Sequence, residues 1–170
     1  PPRNRMPIIT HVLDWDASIL EEALRRELDR GGQIFFVHDR VETIDALSRR
    51  VQHLVPEART VIAHGQMPER ALEDAMYNFI EGDIDILICT SIIENGLDVP
   101  SANTMIVHRA HNFGLAQLYQ LRGRIGRSHR RAYCYLLVPE KVAPEATERL
   151  RILANNEELG SVYDIELNAL

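Results

Sequence analysis

Short apolar runs alternate along this chain with segments in which apolar residues recur at helical spacing. The runs have the length and content of buried strands, and they occupy Ile8–Leu13, Gln33–His38, Thr60–Ala63, Ile84–Cys89, Thr104–His108 and Ala132–Val138. Strands that alternate with helices in this way are typical of an α/β domain. We therefore predict an α/β fold with a mostly parallel sheet that is sandwiched by helices.

Capping and stop signals predict the helix boundaries. Asp16 is expected to cap a first helix that ends at Gly31 and Gly32. Asp39 and Glu42 have the spacing of a capping box that opens a second helix. Three further helices are predicted, near 68–82, over 114–127 and from 144 onward.

Bulk properties restrict the class of protein. The chain has 170 residues, of which 45% are hydrophobic and 26% charged, so it can bury a core and has neither a disordered nor a membrane composition. No apolar run approaches the roughly 20 residues that span a bilayer. The N-terminal residues lack the apolar segment of a secretory signal, so we expect a cytoplasmic location. Cys89 and Cys134 lie in strand-like runs and are expected to be buried, reduced thiols, and no metal site is predicted.

The segment Gln117–Arg127 carries the strongest signal for binding. On a continuous helix its amides and guanidiniums fall on one face, formed by Gln117, Gln120, Arg124 and Arg127. Arginine suits anion binding because it stays charged and presents a planar fork of donors to phosphate oxygens. The alternative is an amphipathic helix with a solvated basic face. Because the net charge of the chain is −6, the basic stretch is a local feature, which favours phosphate recognition at one place.

The loop over 90–100 is the second candidate for ligand binding. Thr90 directly follows an apolar run, so its hydroxyl and the neighbouring amides can meet a phosphate. Gly96 permits a close approach of the backbone, and Asp98 could accept from a ribose hydroxyl or hold a water near the phosphates. The alternative is an ordinary turn, because Asn-Gly and Asp-Val-Pro are common turn sequences.

A third, weaker candidate is formed by His64, Gly65 and Gln66, which precede a predicted helix. Such residues can bind a backbone phosphate at a helix N-terminus, or they can be simple loop residues. Ligands of open α/β sheets gather beyond the carboxyl ends of the strands. Because His38–Arg40, the His64 segment and the 90–98 loop all follow strands, we expect the chemistry at that edge.

Two elements that bind nucleotides in many ATPases do not occur in the sequence. It contains neither a Gly-x-x-x-x-Gly-Lys-Ser/Thr loop nor an acidic pair in the pattern Asp-Glu-x-His. A phosphate-binding arginine face without a phosphate cradle predicts half of a composite site. The arginines would then reach across to a nucleotide that another lobe holds.

Together, Thr90–Asp98 and Gln120–Arg127 resemble motifs V and VI of the superfamily 2 helicases and translocases, and the resemblance extends over about residues 1–160. These proteins bind ATP between two RecA-like lobes, so the resemblance implies that this chain is the second lobe, which lacks the P-loop. The resemblance implies the lobe over 8–140 and the start of a helical extension over 141–170. Residues 1–7 contain three prolines and no periodicity, which predicts a linker. We expect the extension to be truncated or altered, because the tail from Tyr163 departs from the family pattern.

The resemblance also implies roles for the candidate residues. Arg124 and Arg127 would be arginine fingers at the γ-phosphate, and Gln120 would help to sense that phosphate. Gly96 and Asp98 would line the nucleotide, and ATP and Mg²⁺ would be held mainly by the first lobe. Four residues would face the DNA backbone: Thr90, His64, Gly65 and Gln66.

Within the superfamily, four segments most resemble bacterial double-stranded DNA translocases that displace stalled RNA polymerase and couple transcription to repair; these are Pro1–Arg3, Gly31–Gln33, His64–Met67 and Phe113–Leu118. The resemblance implies DNA, the first lobe, RNA polymerase and repair proteins as partners, and an isolated lobe that is inactive. A branch-migration helicase, and a non-catalytic module whose arginine face docks an acidic partner, are the alternatives. Arg122 falls off the polar face of the helical projection and receives no role.

Overall fold

Every strand of the central sheet runs in the same direction. A computed structural model describes residues 6–91, 98–141 and 143–155. Its strands are β1 (Ile9–Leu13), β2 (Gln33–Val37), β3 (Thr60–Ala63), β4 (Ile86–Cys89), β5 (Ala102–Val107) and β6 (Tyr133–Leu137). They lie in the order β1-β6-β5-β2-β4-β3, and each neighbouring pair is parallel. The predicted fold class is confirmed.

Helices cover both faces of the sheet. They are α1 (Ala17–Asp29), α2 (Ile44–Leu54), α3 (Glu69–Ile80), α4 (Leu115–Arg122) and α5 (Pro144–Ala154). The first two pack on one face, and the other three pack on the opposite face. Successive residues of a strand point to opposite faces, so Phe36 of β2 joins the layer of α1 and α2. Its neighbour Phe35 packs against Phe79 of α3, with 5.3 Å between the ring centroids.

One of the two predicted helix caps is present. The carboxylate of Asp16 accepts from the backbone N–H of Ile19 at 3.0 Å, as the sequence predicts. The predicted capping box at Asp39 is wrong, because α2 begins only at Ile44, after a short 3-10 turn, and has no side-chain cap. The Asp39 carboxylate instead accepts from Asn112 at 2.6 Å, a partner that is distant in the sequence.

The predicted helix over 114–127 is shorter than expected, because α4 ends at Arg122. Gly123 caps the helix, and Gly126 then adopts a left-handed φ of 77°. The apolar spacing continues past the helix end, since Ile125 is fully buried, but the backbone that carries it is a turn. Arg124 and Arg127 therefore lie beyond α4 and not on its face.

Both cysteines are buried and free, which confirms the prediction of reduced thiols. Burial raises the pKa of the Cys134 thiol to about 12, and that of Cys89 also lies well above its usual range. In the described ranges no helix has the length and apolar content that a membrane crossing requires.

Candidate functional site

Three charged side chains converge at the edge of the sheet where β5 begins. Oδ1 of Asp98 lies 3.9 Å from Nη1 of Arg124 and 4.0 Å from Nη2 of Arg127. The side chains are 64%, 20% and 39% exposed respectively, so the group is open to a ligand. We call Asp98, Arg124 and Arg127 the arginine rim. Its two guanidiniums face one carboxylate, so the rim has a net positive charge that suits a polyanion.

The turn after α4 presents both arginines on this rim. Ile125, which lies between them in the sequence, is fully buried and anchors the turn in the core. The backbone N–H of Arg124 donates to the carbonyl of Leu121 at 2.9 Å. Nε of Arg127 donates to the carbonyl of Gly123 at 3.0 Å, which fixes the side-chain stem and leaves the end of the guanidinium at the rim. A turn, and not a helix face, therefore brings the two guanidiniums together.

The position of Asp98 corrects the expectation that the chemistry lies at the carboxyl edge. Asp98 lies shortly before the first residue of β5, Ala102, and so at the amino edge of the sheet. Thr90 directly follows β4, and its N–H donates at 3.3 Å to the carbonyl of Ala63, the last residue of β3. Because β4 and β5 are parallel, the segment between them must return from the carboxyl edge to the amino edge. The two candidate residues of this segment, Thr90 and Asp98, therefore lie at opposite edges of the sheet.

The other two nucleotide candidates are Gln120 and Gly96. Gln120 is exposed near the end of α4. Gly96 lies outside the described residues. Asp98 is thus a predicted nucleotide residue that the structure places beside both arginines.

Arg122 belongs to the interior and not to the rim. It is 5% exposed, and its Nη1 donates to Oγ1 of Thr10 at 3.2 Å and to the carbonyl of Leu153 at 3.5 Å. Its guanidinium also lies 5.3 Å from the ring centroid of Tyr119. These contacts join α4 to β1 and α5, which gives a structural role to the arginine that the sequence left unassigned.

A second row of polar groups lies at the carboxyl edge. The residues that directly follow four adjacent strands, β5, β2, β4 and β3, are His108, His38, Thr90 and His64. Nδ1 of His64 accepts from the backbone N–H of Gln66 at 3.2 Å in a turn that leaves Gly65 and Gln66 exposed. The predicted DNA residues therefore lie together at one end of this row.

Next to this row lies a cavity of about 300 Å³ between α2 and the ends of β2 and β5. Its lining consists of His38, Arg40, Thr43, Ala46, Leu47, Arg50, His108 and Arg109. The sequence indicated only His38–Arg40 as a polar stretch here. It did not indicate Arg50 and Arg109, because they meet only when the helix and the two strands are assembled.

The two histidines of the cavity form a stacked pair. Their Nδ1 atoms are 3.1 Å apart, so one ring donates and the other accepts. Burial lowers the pKa of His108 to about 4, and the neighbouring His38 adds to this shift. Burial also lowers the pKa of His38. Both rings are therefore neutral near pH 7, and the positive charge of the cavity comes from its arginines.

Among the residues that the structure describes, no group of three His, Cys, Asp or Glu side chains could hold a metal ion.

Comparison with known proteins gives the family of this chain. The helicase conserved C-terminal domain family matches residues 16–129. The chain therefore belongs to this family, whose members have a RecA-like α/β lobe of the kind described above.

Within this family, the chain is similar to bacterial transcription-repair-coupling factors. The chain is 52% identical over 167 residues to the transcription-repair-coupling factor of Myxococcus xanthus and 52% identical over 172 residues to that of Mycobacterium bovis. These matches cover 97% and 100% of this chain, which spans only 14% of the length of either relative.

Solved structures show the same fold. RecG bound to a three-way DNA junction matches with a TM-score of 0.80 and 35% identity, over 98% of this chain and 22% of that one. Dbp5 of S. cerevisiae, bound to RNA and ADP BeF3, matches with a TM-score of 0.66 and 18% identity, over 89% of this chain and 40% of that one. The second likeness concerns the fold alone.

Proposed function

We propose that this chain is the second motor lobe of an ATP-dependent double-stranded DNA translocase that displaces stalled RNA polymerase and couples transcription to DNA repair. The relatives that bear the name transcription-repair-coupling factor support the biological role. The convergence of Asp98, Arg124 and Arg127 at an exposed rim carries the motor role. Since DNA and RNA polymerase are the proposed partners, the proposed location is the bacterial cytoplasm.

In this proposal the amino edge completes an ATP site. Phosphoryl transfer is catalysed mainly by positioning and by stabilisation of charge, which is what two guanidiniums supply. Arg124 and Arg127 act as arginine fingers on the γ-phosphate, with Gln120 near it. Asp98 keeps the two guanidiniums at the rim and accepts from the ribose, and Gly96 lines the nucleotide. ATP and Mg²⁺ are held mainly by the first lobe, so catalysis requires the two lobes to close.

The carboxyl edge is the proposed grip on DNA. Thr90 and the turn formed by His64, Gly65 and Gln66 offer a hydroxyl, an amide and exposed backbone groups, which suit phosphate oxygens. The neighbouring arginine-lined cavity adds positive charge to the same edge. Contacts of this kind carry no base information, so binding is independent of sequence and weakens with salt.

The segment from Thr90 to Asp98 links the two edges. When the two lobes close on ATP, Asp98 is brought against the nucleotide. When the contact with the γ-phosphate is lost, the closed arrangement of the lobes is weakened. Because Thr90 belongs to the same segment, closure also shifts the grip on the DNA backbone. In this way one crossover couples the state of the nucleotide to stepping along DNA.

The test uses the two-lobe motor and the isolated chain. The two-lobe motor is expected to hydrolyse ATP when double-stranded DNA is added and to release RNA polymerase from a stalled complex, while the isolated chain does neither. ATP turnover by the isolated chain would contradict the proposal of half a site.

The structural likeness to RecG favours one alternative, a branch-migration helicase. Its identity of 35% is below the 52% to the coupling factors, so we place polymerase displacement first. A motor that unwinds three-way or four-way junctions and leaves stalled polymerase in place would reverse this order.

A further inference from the structure

Asn103 makes three hydrogen bonds that join the two halves of the arginine rim. It is the second residue of β5 and is 1% exposed. Its Nδ2 donates to the carbonyl of Pro100 at 2.9 Å and to Oγ of Ser128 at 3.1 Å. Its Oδ1 accepts from the backbone N–H of Gly126 at 3.2 Å.

The three partners lie next to the charged residues of the rim. Pro100 is in the short segment that leads from Asp98 into β5, and Gly126 and Ser128 are the two chain neighbours of Arg127. One buried amide therefore ties the backbone beside the carboxylate to the backbone N–H of Gly126 on one side of Arg127 and to the hydroxyl of Ser128 on the other. Arg127 is also held at its stem by the carbonyl of Gly123.

The chemistry of the contact requires a primary amide at this position. The side chain must donate two hydrogen bonds and accept one, which Asn does with its NH₂ and its carbonyl oxygen. A carboxylate would keep the acceptor for Gly126 but would turn a second oxygen toward the carbonyl of Pro100. A truncated side chain would leave the buried N–H of Gly126 without this partner.

We propose that Asn103 is a positioning residue for ATP hydrolysis, which fixes Arg127 and Asp98 in the one arrangement that meets the nucleotide. This inference rests on the proposed function of the rim. Asn103 does not touch the nucleotide, because it is buried beneath the two segments that it joins. It acts by removing the freedom of the segment around Arg127, and small displacements of a charge-stabilising group carry large penalties in rate.

The experiment measures DNA-stimulated ATP hydrolysis by the two-lobe motor. Asn103→Ala and Asn103→Asp are each expected to lower kcat at least about 10-fold, with KM for ATP changed less than about 3-fold, because the finger acts in the transition state. The affinity for double-stranded DNA stays within about two-fold, because the DNA edge lies at the other end of the strands. Ser128→Ala, which removes one of the three bonds from a less buried position, is expected to lower kcat about 3-fold.

A matched control separates positioning from stability. Val51→Ala removes buried volume on the opposite face of the sheet and destabilises the lobe without touching the rim. It is expected to lower the melting temperature as much as Asn103→Ala does, while kcat stays unchanged.

Two outcomes would overturn the inference. One is that Asn103→Ala and Ser128→Ala keep kcat within two-fold of the unmodified motor, roughly the accuracy of such assays, while Arg127→Ala abolishes turnover. The other is that Val51→Ala lowers kcat as much as Asn103→Ala does. Full turnover in Arg127→Ala would instead contradict the proposed function of the rim itself.

Discussion

At the scale of single residues, Gly126 sets the direction in which the chain leaves the turn after α4. Its φ of 77° lies in the left-handed region, and its N–H is thereby presented to Asn103. A Cβ atom built on Gly126 would lie 3.3 Å from Cγ1 of Ile8, closer than ordinary van der Waals contact. The left-handed φ and the lack of room for a Cβ atom both favour glycine at position 126, beside Arg127.

Gly126→Ala is expected to reduce the free energy of unfolding by about 1–3 kcal/mol, because it forces a side chain into a left-handed and crowded position. Chemical denaturation of the chain measures this. Gly65→Ala is the matched control for stability, because nothing lies within 4 Å of its Cβ position and its φ is not positive. An equal loss in both variants would show that the conformation of Gly126 is not special.

At the scale of elements, the end of α1 holds the loop that follows Arg127. Glu27 is fully buried, and Arg30 donates to its two oxygens at 2.8 and 2.7 Å. Nη2 of Arg30 also donates to the carbonyl of Arg131 at 2.7 Å, and Nη1 of Arg130 donates to the carbonyl of Arg30 at 2.6 Å. The ion pair between the buried Glu27 of α1 and Arg30, the C-cap of the helix, is thus tied to the backbone just beyond the rim.

Arg30→Ala is expected to cost about 2–4 kcal/mol of unfolding free energy, because it leaves the buried carboxylate of Glu27 without its cation. Arg25→Ala removes an arginine that also has two carboxylate partners, Glu21 and Glu57, but lies at the surface. Its loss is expected to leave the free energy of unfolding almost unchanged, because solvent and salt screen ion pairs at the surface. Chemical denaturation of Arg30→Ala and Arg25→Ala measures the difference. Equal midpoints would contradict the conclusion that the Arg30–Glu27 pair stabilises the fold.

The end of α4 shows what element boundaries can be predicted from sequence. Leu121 and Ile125 continue the helical spacing, and the periodicity therefore predicts a helix that is too long. The two glycines at 123 and 126 are the local signal for an earlier stop. The Asp39 carboxylate is different, because it is bound by Asn112 through the tertiary fold and no local pattern reveals this.

At the scale of the whole molecule, the alternation of strands and helices predicts the α/β class, but it does not predict the strand order. The edge at which a residue lies depends on the crossover that carries it. The sequence therefore predicts the whole 90–98 loop at the carboxyl edge, whereas Asp98 lies at the amino edge. The motif residues Arg124 and Arg127 were found from their chemistry and spacing. Asn103 was missed, because its three partners come together only in the folded chain.

The buried histidine pair makes the stability of the whole lobe depend on pH. The pKa of His108 falls from 6.5 to about 4 on folding, and that of His38 also falls, with Asp39, Arg40, Arg50 and Arg109 as the charged groups nearby. Below pH 6.5 the unfolded chain takes up protons that the folded chain excludes, so the unfolding free energy decreases as the pH falls toward about 4.

Above pH 6.5 both states carry neutral rings, and the pair causes no slope. His108→Gln is expected to reduce the slope between pH 6.5 and 4 in urea denaturation, because it removes the ring whose pKa falls to about 4. A slope that is unchanged in His108→Gln would assign the pH dependence to other groups.

The most direct test of the composite ATP site is the kcat for DNA-stimulated ATP hydrolysis by the two-lobe motor carrying Arg124→Ala or Arg127→Ala, with Arg25→Ala as the control. Each rim variant is expected to lose roughly 10³-fold or more in kcat, as removal of an arginine finger does, while circular dichroism shows an intact fold. Arg25→Ala is expected to retain full turnover. Turnover in both rim variants within about 3-fold of the unmodified motor would contradict the assignment of these two arginines to the nucleotide.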